Sequence, residues 1–220
     1  MSPRVIFLGA PGAGKGTQAE ALAAETGVPH IATGDMLREA ARRGTPLGLE
    51  ARRYMDRGAL VPDEVVIGLA DERIGQADAA RGWVLDGFPR TVPQAEALDS
   101  SLSRRGLELD RVLFFRVAPA ELMRRLTGRR VCRQCGAVFH LAFNPPAQAD
   151  RCDRCGGLLY QREDDAESAV AHRLDVYVRQ TEPLLGHYRR RHLLTEVCGE
   201  GTVEQVAAAI REGLRQAAAP

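Results

Sequence analysis

Lysine is nearly missing from this chain. Of its 30 basic residues only Lys15 is a lysine and the other 29 are arginines, in an alanine-rich composition that fits a GC-rich coding bias. Aromatic residues make up only 5%, and few are placed to stack on bases. Net charge is small too. At +1 the chain lacks the field that draws a protein to nucleic acid regardless of sequence, so no nucleic-acid partner is expected. No apolar run approaches the length of a membrane span, and residues 1–20 lack the apolar core of a secretory signal. A cytoplasmic protein with no membrane partner is therefore expected. There is no internal repeat, and Ala217–Pro220 reads as a frayed tail. What remains, 220 residues with 45% hydrophobic and 27% charged, suits one sizeable α/β core plus insertions, or two small domains.

The lone lysine sits in the most informative stretch, VIFLGAPGAGKGT, from Val5 to Thr17. Val5, Ile6, Phe7 and Leu8 form an apolar run long enough for a buried strand and too short for a helix. Gly9, Gly12, Gly14 and Gly16 follow around Pro11, and helical sequence begins at Thr17. Glycines let the backbone wrap closely round an anion. The first N–H groups of the helix lack intrahelical partners and meet phosphate at the positive end of the helix dipole. Gly9 through Lys15 fit the phosphate-binding pattern G-x-x-x-x-G-K, with Lys15 directed at the outer phosphates. One position departs: where Ser or Thr should ligate magnesium stands Gly16, and Thr17 comes one residue late. Phosphate binding is expected, and the metal ligand in the loop stays open. That lysine persists here alone suggests a need for a compact ammonium on a flexible stem rather than a guanidinium fork.

Five apolar runs read as buried strands: Val5–Leu8, His30–Ala32, Trp83–Leu85, Val112–Val117 and Leu193–Val197. Helical stretches alternate with them, which predicts an α/β fold with a mostly parallel sheet and helices on both faces. Ala19–Glu25 continues the first helix. Thr33 or Asp35 is placed to cap a helix through Arg43, and Leu49–Arg57 forms another that Gly58 stops. Pro62 and Asp63 start a helix, and Pro93–Leu102, Pro119–Leu126, Asp164–Arg190 and Val203–Leu214 follow. From Gly128 to about Asp165 the alternation breaks into Cys, Gly, Pro and Arg. A structureless connection of that length is unexpected inside a compact domain, so the segment reads as a small inserted domain.

Cys132 and Cys135 form one C-x-x-C, Cys152 and Cys155 another, with sixteen residues between the pairs. This spacing suits a tetrahedral structural zinc site. Two disulfides are the alternative, against which a cytosolic location argues. His140 is a possible substitute ligand. Four thiolates would close the shell, leaving no open position for catalysis. The fifth cysteine, Cys198, reads as a semi-buried thiol.

Most arginines read as solvated surface. Arg38, Arg90, Arg129, Arg130 and Arg162 differ, since they stand near strand ends and at the borders of the insertion, and Arg173 lies on the helix beyond it. The carboxyl edge of a parallel sheet is where ligands bind, and arginines closing on a transferring phosphoryl group spread its charge. Arg124 and Arg125 could be exposed or stack on a base. Trp83-Val84-Leu85-Asp86 is an apolar strand ending in a carboxylate, which either holds magnesium or its waters or caps the next turn.

The stretches GAPGAGKGTQA, ATGDMLR, ALVPDE, LDGFPRTVPQAEAL, GRRVCRQCG, FNPP, CDRCGGLLYQREDD and HRLDVY together resemble the adenylate kinase family, in its long form with a zinc-binding lid. The likeness runs in family order from residue 5 to about 185. It implies a P-loop core of five parallel strands (residues 1–31, 62–127 and 166–220), an AMP-binding segment (32–61), a zinc-bearing lid (128–165), and transfer of the terminal phosphoryl group of MgATP to AMP to give two ADP. By position, the resemblance puts Gly12, Ala13, Gly14, Lys15, Gly16 and Thr17 on the ATP phosphates. Arg125, Val138, Phe139 and Gly201 would also touch ATP. Thr33, Arg38, Ala59, Leu60, Val61, Gly87, Phe88, Pro89, Arg90 and Gln94 would hold AMP. Arg129, Arg162 and Arg173 would surround the transferring group, Asp86 would serve Mg2+, and Cys132, Cys135, Cys152 and Cys155 would bind Zn2+. Gln94 favours AMP, because a side-chain amide can read an adenine edge. Kinases for UMP or CMP, the nearest alternative, often carry Asn where this chain has Thr91. A zinc-ribbon nucleic-acid binder is the alternative from another class. A monomer is expected.

Overall fold

The computed structural model describes residues 2–217, so of the tail expected to fray only Ala217 is covered. In chain order the elements are β1 (Arg4–Gly9), α1 (Lys15–Thr26), β2 (His30–Ala32), α2 (Thr33–Arg42), α3 (Pro46–Met55), α4 (Asp63–Ile74), β3 (Trp83–Asp86), α5 (Val92–Arg104), β4 (Arg111–Arg116) and α6 (Pro119–Thr127). There follow β5 (Arg129–Cys132), β6 (Val138–His140), β7 (Leu159–Tyr160), α7 (Glu167–Val176), α8 (Pro183–Arg190), β8 (Leu194–Cys198) and α9 (Val203–Ala217). The five apolar runs become one parallel sheet in the order β2-β3-β1-β4-β8. This is the parallel α/β sheet expected from the alternation, in the five-stranded P-loop form that the resemblance implies.

Side chains along a strand point alternately to opposite faces. Val5 and Phe7 therefore join Leu22, Leu122, Val206 and Ile210 on one side of the sheet, while Ile6 and Leu8 join Leu37, Val66, Leu98, Leu184 and Tyr188 on the other. Two apolar layers thus clamp β1 in the middle of the sheet, and the glycine-rich loop leaves from its carboxyl end. Among the described residues, no helix is long and apolar enough to cross a membrane.

Local chemistry explains where helices begin. Thr45 accepts the Gly48 N–H and Pro46 supplies the first turn, so α3 starts three residues before the expected Leu49. Gly48 is needed for packing: a Cβ there would lie 2.1 Å from the Ala40 carbonyl carbon, so α2 and α3 meet backbone to backbone. Thr33 does not cap α2. It is the first helical residue and its hydroxyl donates instead to Gly87 O (2.9 Å). The single helix expected over Asp164–Arg190 is divided. Glu163–Asp165 forms a 3₁₀ turn, α7 follows, and Tyr177–Thr181 widens into a π turn before α8. Pro183 has no N–H to donate and its ring crowds the carbonyl four residues back. The wider turn accommodates it, with Glu182 N–H reaching Tyr177 O (2.9 Å).

The insertion folds as an antiparallel sheet, β6-β5-β7, with its own cluster of Cys132, Ala137, Phe139, Cys152 and Leu159. Cys198, expected to be semi-buried, is exposed at the last position of β8, the outer strand of the large sheet.

Candidate active site

Parallel pairing brings the ends of three strands together. Phe7 pairs with Asp86, which also pairs with Ala32, so β1, β3 and β2 finish side by side and deliver the glycine loop, Asp86 and Thr33 to one edge. In the loop, Gly12 and Gly14 have φ of 85° and 88°, values that a side chain would strain. Gly14 stands at the N-cap of α1 and no side chain caps the helix, which leaves the first-turn N–H groups to an anion.

Lys15 Nζ donates back to Gly9 O (2.8 Å) and Ala10 O (2.9 Å). Burial lowers its pKa to about 8, with Arg90, Arg173 and Arg129 adding to the drop and Asp86 opposing it. For Asp86, burial pushes the carboxyl up, but the neighbouring His30 imidazole and the charge of Lys15 outweigh this and hold it below the ordinary carboxylate range. His30 Nε2 lies 3.7 Å from Asp86 Oδ2. A Cβ at Gly16 would come 3.4 Å from the same carboxylate, so Asp86 lies against the residue that replaces the usual hydroxyl.

Beyond β3 the turn Gly87-Phe88-Pro89-Arg90 contains a cis Phe88–Pro89 peptide. Arg90 Nε donates to Gly87 O (2.9 Å), and burial, then Arg173, lowers the Arg90 guanidinium pKa to about 10. Gln94 is 1% exposed. Its Oε1 accepts from Arg90 N (2.7 Å) and its Nε2 donates to Asp63 Oδ1 (2.7 Å). Thr91 caps α5 through the Gln94 N–H and donates to Asp63 Oδ2 (2.9 Å). Ala59, Leu60 and Val61 connect α3 to α4, with Val61 buried beside Val66 and Leu85 in the same apolar layer.

The arginines at the lid border are held by acids that sequence reasoning did not single out. Asp165, fully buried, accepts from Arg129 Nε (2.8 Å) and Nη2 (2.5 Å) and from Arg173 Nη1 (3.1 Å). Arg173 also reaches Asp164 through its carbonyl (2.7 Å) and its carboxylate (3.1 Å). Burial opposes the charge on Arg129, but Asp165 outweighs it and raises the pKa. Arg38 donates to Asp35 (2.6 Å), and Arg162 lies 3.6 Å from the same carboxylate, so the end of the insertion meets α2 across the cleft. Burial, then Arg38 and Arg129, lowers the Arg162 pKa to about 10, and its buried Nε has no hydrogen-bond partner among the described residues. The only sequence signal for these acids was their run, Glu163-Asp164-Asp165, directly after Arg162.

On the other side of the loop, Arg125 donates to Glu121 (2.7 Å) and to Gly199 O (2.9 Å), and its Nη1 would lie 3.9 Å from a Cβ on Gly14. Gly201 follows in the same β8–α9 connection with φ of 113°. Val138 is exposed, whereas Phe139 turns into the core of the small sheet.

The four lid cysteines come together. Their Sγ atoms all lie within 4.8 Å of one another, with Cys132–Cys155 at 3.5 Å and Cys135–Cys152 at 3.6 Å. A disulfide requires about 2.05 Å, and all four are free thiols. Tetrahedral ligands at about 2.3 Å from zinc stand about 3.8 Å apart, which fits this set. His140 is used elsewhere: its Nδ1 accepts from Ala142 N (3.0 Å) and Phe143 N (3.1 Å), and its Nε2 lies 3.2 Å from Arg124 O.

Comparison with known proteins agrees with this geometry. A family model described as Adenylate kinase matches residues 7–193. A curated relative named Adenylate kinase from Methanocella arvoryzae is 54% identical over 213 residues, covering 97% of this chain and 99% of the relative. Relatives of the same name from Carboxydothermus hydrogenoformans (54% identical, 97% of this chain and 100% of the relative) and Moorella thermoacetica (56%, 96% and 97%) are similar over nearly their full lengths.

Proposed function

The chain belongs to the adenylate kinase family, and from that premise we propose how its residues divide the work. The protein is an enzyme that transfers the terminal phosphoryl group of MgATP reversibly to AMP, giving two ADP. An AMP phosphate oxygen attacks the γ-phosphorus while the bond to the β–γ bridging oxygen breaks. No covalent intermediate and no strong general base are required, so positioning and charge stabilisation carry the catalysis.

Gly12 to Thr17 and Lys15 would hold the ATP phosphates, with Arg125, Val138, Phe139 and Gly201 toward the adenosine side. Thr33, Arg38, Ala59 to Val61, Gly87 to Arg90 and Gln94 would hold AMP. Arg90, Arg129, Arg162 and Arg173 would converge on the group in flight. Asp86 would hold the Mg2+ that arrives with ATP, which would offset the negative charge developing on the phosphates. The single observation that best supports this reading is electrostatic: Lys15, buried at the loop, feels Asp86, Arg90, Arg173 and Arg129 at once. Three separate parts of the chain thus place charge at one point.

The same reading divides the chain into a core (1–31, 62–127, 166–220), an AMP-binding segment (32–61) and a lid (128–165). Closure of the two insertions would exclude water from the phosphoryl group. Cys132, Cys135, Cys152 and Cys155 would hold structural Zn2+, which supplies folding energy to a unit with few apolar residues. A cytoplasmic monomer acting on free nucleotides completes the proposal. The near-neutral charge speaks against nucleic acid as a partner, and a monomer is read from the lack of a long exposed apolar stripe in the sequence.

The test is ADP formation from MgATP with AMP, CMP, UMP or GMP as acceptor, beside hydrolysis of MgATP alone. AMP should be preferred by a wide margin, and hydrolysis should be far slower than transfer. Hydrolysis as fast as transfer, or a pyrimidine nucleotide as the better acceptor, would overturn the assignment.

A further inference from the structure

Asp63 stands at the first turn of α4 and touches neither the glycine loop nor the arginine cluster, yet it fixes a side chain in the proposed AMP site. Its two carboxylate oxygens are divided between Gln94 Nε2 (2.7 Å) and Thr91 Oγ1 (2.9 Å). The far end of the same amide, Gln94 Oε1, accepts the Arg90 N–H (2.7 Å). A backbone N–H can only donate and a carboxylate can only accept, so these two partners together permit one orientation of the amide. Turning it over would face donor to donor at Arg90 and acceptor to acceptor at Asp63.

That constraint matters because a free glutamine amide is ambidextrous. The edge of adenine offers a donor (the 6-amino group) beside an acceptor (N1). A 6-oxo purine offers the reverse, an acceptor at position 6 beside a donor at N1. An amide free to turn by 180° pairs with either. One held in place retains a single free N–H on one side and a single free lone pair on the other, in fixed order. Gln94 is also almost removed from water, so a mismatched edge would leave groups unpaired where water cannot repair them.

We propose that Asp63 is a specificity-determining positioning residue, which selects a 6-amino over a 6-oxo purine monophosphate by locking the orientation of the Gln94 amide. This rests on the reading of Gln94 as part of the AMP site.

The experiment compares AMP with IMP, which has nearly the same shape and a reversed edge, as acceptors for the whole enzyme. ADP formation gives the ratio of kcat/KM for wild type, Asp63→Ala, Asp63→Asn, Gln94→Ala and the Asp63→Ala/Gln94→Ala double variant. Asp63→Ala should lower the AMP:IMP ratio about tenfold, the effect of one hydrogen bond, mainly through a higher KM for AMP with kcat little changed. Asp63→Asn presents a donor as well as an acceptor, so it removes one of the two constraints and leaves only the Arg90 N–H to oppose the turned-over amide. It should lower the ratio too, which keeps the test open if Asp63→Ala folds poorly. In the double variant, Asp63→Ala should change the ratio no further than Gln94→Ala does alone, since one residue acts through the other. If Gln94→Ala collapses the ratio but both Asp63 variants keep it, the positioning role is overturned and the AMP site stands. If Gln94→Ala leaves the ratio unchanged, the placement of Gln94 at the base is itself wrong.

Discussion

The five-stranded sheet buries Phe7, Trp83, Phe115 and Tyr188 between two layers of helices, whereas the three-stranded sheet of the insertion shares five buried residues, two of them cysteines. The large sheet is sustained by apolar area removed from water, of the order of 25 cal/mol per Å². The small one has too little of it. Val131 is buried as well, but Val138, Leu141, Phe143 and Leu158 are exposed. Four thiols gathered at one point take the place of a core. The comparison teaches that chemistry and stability occupy different parts of this molecule. On the proposed reading, the charged cleft at the edge of the large sheet could be altered without touching what holds the sheet, while the lid would depend on a metal held by four thiols away from the reacting atoms.

The largest effect expected from breaking that division is on rate. Arg90→Ala should lower kcat by about a thousandfold, as for an arginine that stabilises a transferring phosphoryl group, while the melting temperature measured by calorimetry stays close to wild type. A variant that melts far earlier would place Arg90 in the framework instead.

A smaller effect concerns pH and belongs to the large-sheet side alone. Lys15 loses its proton above about pH 8 in the free enzyme, and the protonated form is the one that binds phosphate. kcat/KM for MgATP should therefore fall as pH rises through 8, by about tenfold per unit at the limit. kcat should persist to higher pH, since a bound triphosphate favours the ammonium form. A flat kcat/KM profile to pH 10 would remove Lys15 from this role.

The smallest effect sharpens the other half of the comparison. Stripping the metal with a chelator should lower the melting temperature by several degrees, as for a loss of one or two kcal/mol in a domain of this size, and metal analysis before treatment should give about one ion per chain. An unchanged melt would show that the small sheet stands without its ligands.

How far the sequence led depends on whether a feature is local. The glycine loop, the strand runs and both C-x-x-C pairs carry their information within a few residues, and each is found where it was expected. Asp164 and Asp165 were quoted within a motif, yet their partners were hidden, because Arg129 lies 36 residues from Asp165 and only the folded lid unites them. Asp63 was read as a helix start, and nothing nearby says that it also reaches Gln94. The divided helix after the lid had a visible cause in Pro183, but apolar periodicity on both sides concealed it. Thr33 was a reasonable cap by residue type, and a carbonyl from another strand end claimed its hydroxyl. Cys198 was expected to be semi-buried, but it occupies the last position of an outer strand.

Since Lys15 is the sole lysine, a protease specific for lysine has one peptide bond to attack in the whole protein, the one joining Lys15 to Gly16. Its side chain is tied down by Gly9 and Ala10, so cleavage of the native chain can proceed only as fast as the loop springs open. Digestion thus becomes a clock for that single motion, and a polyphosphate seated there should stop it.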